Sequence, residues 1–464
     1  MMKTILILAA ILVMGTAPAQ ETLTLDGAVS TALERNYQIR GASHDMDAAR
    51  WGRKNAITNF LPKVELSSNI TRIDPESERR ANAAVDFIKN VGPALGIPPS
   101  ALTDIRPFAY RDAYSTSLTV VQPIYNGGAE IVGLQVADAM QDKTEFSYQE
   151  TEQDIIASVK AAYFTVLKSE ELLALANESA ERTHRWLEMT RRRESLGSRT
   201  KTDVLRFEVQ LASDEGNIVN AQNGLALARL QLNELMGVEL DKTFTIEKAS
   251  IPNASLSSTI ESPSLQLASL GTLATPYTVD QSFLATHPAM RTAEANLRLA
   301  EAGVDQSWVN FKPRVNLAFQ YGWEQNNTLK LDGIKPWALS LSLRWPIFNS
   351  FGDYTNLQKS KAEYESAEQG VERYRRGLLL QATHAQLTVK ATKKRIEIAK
   401  KGLEQGEEVL NSVTRRYDSG AASNVDLIDA QTAYASAKTD YINSVYDNFI
   451  SEVQLARATG SISR

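Results

Sequence analysis

The feature that most restricts this chain is a stretch that occurs twice. Pro123-Ile-Tyr-Asn126 returns 223 residues later as Pro346-Ile-Phe-Asn349. The same offset joins Leu134-Gln135 to Leu357-Gln358, Ala139 to Ala362, Gly197 to Gly420, Asp203 to Asp426 and Gly237 to Gly460, with no insertion or deletion between. Each copy reads as a strand end, a very long helix, a tight turn and a shorter returning helix. A unit this long, kept in register, has a constrained length, as the wall of a rod or tube does. Length alone would suggest about three ordinary domains; the duplication points to two pseudo-equivalent halves of one elongated body.

Composition narrows the function classes. Fifty Lys and Arg against 55 Asp and Glu leave a net charge of −5, so there is no basic footprint for nucleic acid. Cysteine is absent, which excludes disulfides, thiolate metal sites and a lipidated N-terminal Cys. His44, His184, His287 and His384 are far apart without ligand spacing, and all four are expected on helix surfaces. No metal or cofactor is expected. The chain also lacks a nucleophile elbow, a P-loop and a metal-ligand motif, so it does not read as an enzyme.

Residues 1–20 read as a signal peptide. Lys3 precedes the apolar run Ile5 to Val13, and Ala17-Pro18-Ala19 supplies the small residues a signal peptidase needs. That run is too short to span a bilayer, and the mature start is expected near Gln20 or Glu21, outside the cytoplasm. Downstream, no apolar run is long enough for a spanning helix. Membrane entry would therefore require a β-barrel.

The first repeat, 21–240, holds a helical stretch from Leu25 to about Asn59, strands at about 62–73 and 112–125, and a long helical hairpin at about 128–237. A connector at 241–280, rich in Ser, Thr, Pro and Leu, leads to the second repeat, 281–464. That repeat holds a helix, strands at about 313–324 and 336–348, and a hairpin at about 352–460, with no C-terminal tail expected. The segment from Pro75 to Phe108 is expected to be irregular, broken by Gly92-Pro93, Pro98-Pro99 and Pro107.

The strand segments alternate with a period of two. Val64, Leu66 and Ile70 alternate with Lys63, Glu65, Ser67 and Asn69; Tyr114, Thr116, Leu118 and Val120 alternate with Ser115, Ser117 and Thr119. Val315 to Trp323 and Trp337 to Trp345 are cleaner still. One face is apolar, with Tyr321, Trp323, Trp337 and Trp345 as an aromatic girdle, while Arg314, Asn316, Ser340, Ser342 and Arg344 occupy the other. This is the lipid-out, water-in pattern of a transmembrane barrel strand. A soluble half-buried sheet alternates as well, but the signal peptide, the terminal tryptophans and the arginines opposite the apolar face favour the barrel.

Four strands cannot close, and open edges are not tolerated in lipid. Copies of the chain must then share one barrel. Eight strands give an interior filled by side chains. Three copies supplying twelve are the smallest ring with clear room for a pore, and four copies remain open on arithmetic alone.

The helices make up most of the chain. Ala129 to Ser195 and Asp353 to Tyr417 contain no proline, and at 1.5 Å per residue each would run to roughly 100 Å. Helices this long need neighbours, normally through coiled-coil packing. Their heptads are not strict, which suggests a curved or variable supercoil. Gly197 and Gly420 stop the long helices, and Thr200 and Ser423 cap their partners.

These features together resemble the TolC-like outer-membrane efflux protein family. The resemblance rests on Leu25-x-x-Ala28-x-x-x-Ala32-Leu33-x-x-Asn36, the Leu61-Pro62 and Lys312-Pro313 junctions, both Pro-Ile-aromatic-Asn segments and both tip turns, and it covers nearly the whole mature chain. It implies a mainly α fold with a membrane β-barrel portion. In detail this would be a homotrimer with a twelve-stranded barrel in outer-membrane lipid above an α-helical periplasmic barrel. It also implies a periplasmic adaptor and an inner-membrane pump of RND, ABC or MFS type as partners. Tyr37 stands where the family often has proline, although Pro288 keeps it in the second half.

In that family, polar links and an aspartate ring close the periplasmic end. The matching positions here are Thr202 and Asp203 in the first hairpin, and Tyr417, Asp426 and Asp429 in the second. The family's partner arginine falls at Ala422, with Arg415 and Arg416 as nearby substitutes. Thr200-x-x-Asp203 and Ser423-x-x-Asp426 are equally capping arrangements. Asp429 lies beyond the first turn on the same face as Asp426. Gly197, Gly420 and the flanking Arg191, Arg192 and Arg193 are the expected adaptor contacts, unless those arginines only complement a helix C-terminus. An exit duct for small molecules and one for type I protein secretion remain open, and a pore-free periplasmic coiled-coil scaffold is the alternative from another class.

Overall fold

A computed structural model describes residues 22–247, 280–328, 330 and 333–463. The signal peptide and most of the connector lie outside the described residues. The chain divides into two units, one formed by 1–45, 145–292 and 372–464 and the other by 46–144 and 293–371. Among the described residues, no helix is long and apolar enough to cross a membrane.

In the first unit, β1 (Thr22–Leu23) pairs in parallel with β4 (Thr245–Ile246). Helix α1 (Leu25–Arg35) starts where the Thr24 hydroxyl accepts the Gly27 N–H at 2.9 Å. It stops at Asn36, whose Oδ1 accepts the N–H groups of Gln38 and Ile39 and so starts α2 (Tyr37–Thr58). The helical stretch expected from Leu25 to Asn59 is thus two helices, because an asparagine side chain competes for backbone donors and breaks the ladder. The unit's core gathers Val29, Val159, Tyr163, Leu167, Leu232 and Met236. Tyr163 Oη, inside it, donates to the Leu23 and Glu247 carbonyls at 3.1 and 2.8 Å.

Four long helices run through this unit: α5 (Ala129–Ser195) and α8 (Gly352–Asp418), each of 67 residues, with α6 (Lys201–Met236) and α9 (Asn424–Ala458) returning from them. On α8 a seam of buried or half-buried positions runs from Leu378 to Tyr417 in alternating steps of four and three. Helix α6 has the same seam from Val204 to Leu235. This is heptad packing, stricter than expected. Thr392, Gly406 and Asp214 occupy seam positions, so residue type hid a periodicity that burial reveals.

α7 (Pro288–Val309) repeats the α2 entry with a different cap. Buried His287 accepts the Ala289 N–H on Nδ1 at 3.2 Å, where Asn36 serves α2, and so departs from the expected helix surface. Burial lowers the His287 pKa, outweighing the raising effect of its hydrogen bond with the Arg457 backbone. The neutral imidazole is therefore favoured in the fold. Its contribution to stability is complete above the ordinary histidine pKa, about 6.5, and declines as pH falls below that value. Thermal unfolding from pH 7.5 to 5 should show this acid loss, and His287→Asn should flatten it by retaining the cap without a titrating ring.

The second unit is built on an antiparallel sheet ordered β2-β3-β5-β6. Its strands are β2 (Lys63–Arg72), β3 (Asp112–Asn126), β5 (Arg314–Asn326) and β6 (Trp337–Arg344). β6 is shorter than expected, since Arg344 lies opposite Arg314, the first residue of β5. Pro346 to Asn349 has no strand to pair with there, whereas Pro123 to Asn126 ends inside β3. The stretch expected to be irregular between β2 and β3 contains α3 (Pro75–Val91), a 3-10 turn at Gly92–Leu95 and α4 (Pro99–Thr103). Asp74 caps α3 by accepting the Glu76 and Ser77 N–H groups, with Pro75 in the first turn. Asp-Pro-Glu is a helix start that the prolines further along obscured.

Candidate functional site

The two hairpin turns have the same construction. Gly197 (φ +72°) and Gly420 (φ +81°) take the left-handed position that ends each long helix. Ser198 N–H reaches Arg193 O and Gly197 N–H reaches Glu194 O, both at 2.9 Å. The counterparts, Ala421 to Arg416 and Gly420 to Tyr417, measure 2.7 and 3.0 Å. Each returning helix then starts with a reciprocal cap. The Thr200 hydroxyl accepts from Asp203 N–H while an Asp203 carboxylate oxygen accepts from Thr200 N–H at 3.0 Å. Ser423 and Asp426 repeat the arrangement at 2.9 Å. Bonds from the capping backbone N–H hold both aspartates below the usual carboxylate pKa.

Beneath the turns lies a core of Leu187, Val204, Phe207, Leu410, Tyr417 and Leu427. Tyr417 is fully buried, and its hydroxyl is 2.8 Å from Thr190 Oγ1. The Arg199 and Arg193 guanidiniums sit 4.9 and 5.5 Å from its ring centroid. Arg193 also donates to the Tyr417 and Asp418 carbonyls, each at 3.2 Å, and so caps the end of α8 from the other hairpin. Arg199 donates to Ala422 O at 3.4 Å, and Asn424 Nδ2 donates to Asp203 O at 3.0 Å. The two turns of the chain are therefore stitched together.

Of the expected tip residues, Thr202 and Asp429 are exposed, while Asp203 and Asp426 are occupied in their caps. Arg191 pairs with Glu208 at 2.8 Å, Arg192 is exposed, and Arg193 turns inward. Sequence reasoning missed Thr190, Arg199 and Asn424. One signal was available: Arg199 is the repeat counterpart of Ala422, so the arginine lacking in the second turn is present in the first. Arg416 reaches Ala421 O at 3.5 Å and helps keep Asp426 charged.

The sheet supplies the second part of the site. Leu66, Leu118, Tyr321 and Trp337 form one cross-strand row, and Val64, Val120, Phe319 and Leu339 the next. Opposed residues share a face, so all four strands turn an apolar surface the same way. The other face carries Glu65-Thr119-Gln320-Ala338 and ends at Asn126-Arg314-Arg344. Tyr321 and Trp323 meet edge to face at 5.0 Å near the β5–β6 turn. Trp345 lies past the opposite end, donating from Nε1 to Phe311 O at 3.0 Å.

Comparison with known proteins accords with this geometry. A family model described as "Outer membrane efflux protein" matches residues 28–238 and 279–461. Outer membrane protein TolC of Vibrio cholerae serotype O1 is 24% identical over 362 residues, covering 76% of this chain and 78% of that protein. TolC of Escherichia coli K12 is 24% identical over 440 residues, covering 92% and 80%. The crystal structure of the Campylobacter jejuni CmeC outer membrane channel superposes with a TM-score of 0.75 at 17% identity, covering 94% of this chain and 85% of that one.

Proposed function

The chain belongs to the outer membrane efflux protein family, and from that premise we propose that three copies close one barrel and one helical tunnel. It is an outer-membrane channel with a long periplasmic helical portion, the exit duct of an efflux or secretion system. An inner-membrane pump and a periplasmic adaptor deliver the substrate, and the chain itself performs no catalysis.

The observation that carries the homotrimer is the open sheet. β2 and β6 are edge strands, and one whole face is apolar. In lipid such edges must be paired, and edge-to-edge joining of three copies gives twelve strands, enough to enclose water. The apolar face turns to lipid, with Tyr321, Trp323, Trp337 and Trp345 at the interfaces.

The stitched turns form the periplasmic entrance. Thr202, Asp203, Asp426 and Asp429 border it, with Tyr417 buried beneath them, while Gly197, Gly420, Arg191 and Arg192 face the adaptor. Three copies of Asp426 and Asp429 make a ring of like charge that attracts cations. In planar bilayers, millimolar divalent cations should block the purified oligomer, and Asp426→Ala with Asp429→Ala should weaken that block by an order of magnitude or more. Unchanged block would remove the ring, and absence of any conductance from the wild type would remove the duct.

A further inference from the structure

A cavity of about 460 Å³ lies between α5, α6 and α9 in the first unit. Ser179, Ser213, Asn217, Thr432, Ser436 and Thr439 bring hydroxyls and an amide to its wall. Among the described residues that line it, Asp214 is the one charged side chain. Ser213, Asn217, Thr432 and Ser436 are exposed, so solvent and ions can enter. The duct reading makes no use of this cavity.

Asp214 is 5% exposed. One of its carboxylate oxygens accepts from the Thr183 hydroxyl at 2.5 Å and the other from the Gln210 amide at 2.9 Å. Both donors are neutral, and among the described residues no Lys, Arg or His pairs with Asp214. Arg182 and Lys438, on the flanking helices, are both engaged by Glu178. Burying a charge without a counter-charge is costly, and such groups are paired or hold a cation.

Gln431 lines the same cavity and is 3% exposed. Its amide nitrogen donates to Ser179 O and to Thr183 Oγ1, both at 3.0 Å. Those two bonds fix the amide, since the reversed orientation would set its oxygen against the Ser179 carbonyl. Gln431 Oε1 is buried, and among the described residues no donor reaches it. Thr183 Oγ1 links the two groups, bonded to Asp214 on one side and to Gln431 on the other. A water satisfies the amide oxygen and leaves the carboxylate uncompensated. A cation satisfies both.

We propose that this cavity binds a cation of single charge, held between the Asp214 carboxylate and Gln431 Oε1, with the wall hydroxyls completing its oxygen shell directly or through water. The charge follows from the ligands. One carboxylate balances one positive charge, and among the described residues no three His, Cys, Asp or Glu side chains gather as a metal site. Oxygen ligands of this kind suit hard metal ions, and the same acceptors suit the ammonium head of an amine. The bound cation ties α5, α6 and α9 together within one chain, whatever number of copies assembles.

Thermal unfolding of the purified protein tests the site, at one ionic strength set with N-methyl-D-glucamine chloride. Replacing that bulky cation by sodium, potassium or methylammonium should raise the midpoint by several degrees, saturating in the millimolar range. A rise with a metal ion or with methylammonium tells which source fits. Asp214→Asn should abolish the ion-specific rise, and so should Gln431→Leu. Ala435 lines the cavity one turn from Gln431 on α9, so Ala435→Lys keeps both ligands and tethers an ammonium beside them. That variant should unfold at a higher midpoint in N-methyl-D-glucamine chloride and gain nothing further from small cations. Identical wild-type midpoints in all four chlorides overturn the site. So does an ion-specific rise that survives in Asp214→Asn or Ala435→Lys, or a midpoint that Ala435→Lys lowers.

Discussion

Tyr417→Ala is expected to cost about 3–5 kcal/mol, the range for removing a fully buried aromatic, and to free the two turns from each other. The residue is completely enclosed, stands edge to face with Phe207 at 6.3 Å, bonds Thr190 and lies beneath two guanidiniums. Its removal opens a cavity where α5, α6 and α8 meet and leaves Arg193 and Arg199 without their ring. The loss should be local. Protease cleavage near Ser198 should accelerate at least tenfold, and the entrance should conduct more at low voltage, while the sheet is unaffected. Tyr417→Phe keeps the packing and loses the hydroxyl, a change of about 1 kcal/mol. If both variants behave alike, the hydroxyl bond rather than the buried ring holds the turns.

Gly237→Ala should damage the first unit more than the same change at Gly197, although both residues have positive φ. The left-handed conformation costs a non-glycine residue about 1–2 kcal/mol at either position. At Gly197 a Cβ would meet open space; at Gly237 it would lie 2.5 Å from Arg35 O and 2.7 Å from Arg35 C. One of those backbones must move, and both belong to the junction of α1 with the end of α6, where Asn36 Nδ2 also donates to Leu235 O at 2.9 Å. Gly197→Ala should lower the thermal midpoint by a few degrees, and Gly237→Ala should prevent accumulation of folded protein. Equal effects would show that conformational strain dominates and that the close approach can relax.

These contrasts show how much was legible in the residues. The repeat offset located both turns and both caps, because glycine at positive φ and a Ser/Thr-x-x-Asp start are local requirements. The cross-strand faces were legible because strand periodicity needs no partner to be seen. The Asp74-Pro75-Glu76 start of α3 was also present but was outweighed by prolines that belong to the following turns. His287 was missed as a cap although its bond to the Ala289 N–H is local, because Ser, Thr, Asp and Asn are the usual capping residues. Arg199 on the Tyr417 ring was not legible, since it depends on contact between segments distant in sequence. The strict seams of α6 and α8 escaped for a related reason. Thr392, Gly406 and Asp214 are tolerated there only because their neighbours accept a hydroxyl, a missing side chain or a carboxylate, as when Asp214 takes bonds from Thr183 and Gln210.

The most direct measurement is the native mass of the protein released from membranes in mild detergent. Strands that cannot encircle water within one chain should leave the bilayer as a species three times the single-chain mass, which falls apart only when the sheet is melted by heating. A monodisperse single chain, folded and stable in buffer without detergent, would mean that the apolar face is satisfied within the subunit and that no shared wall exists.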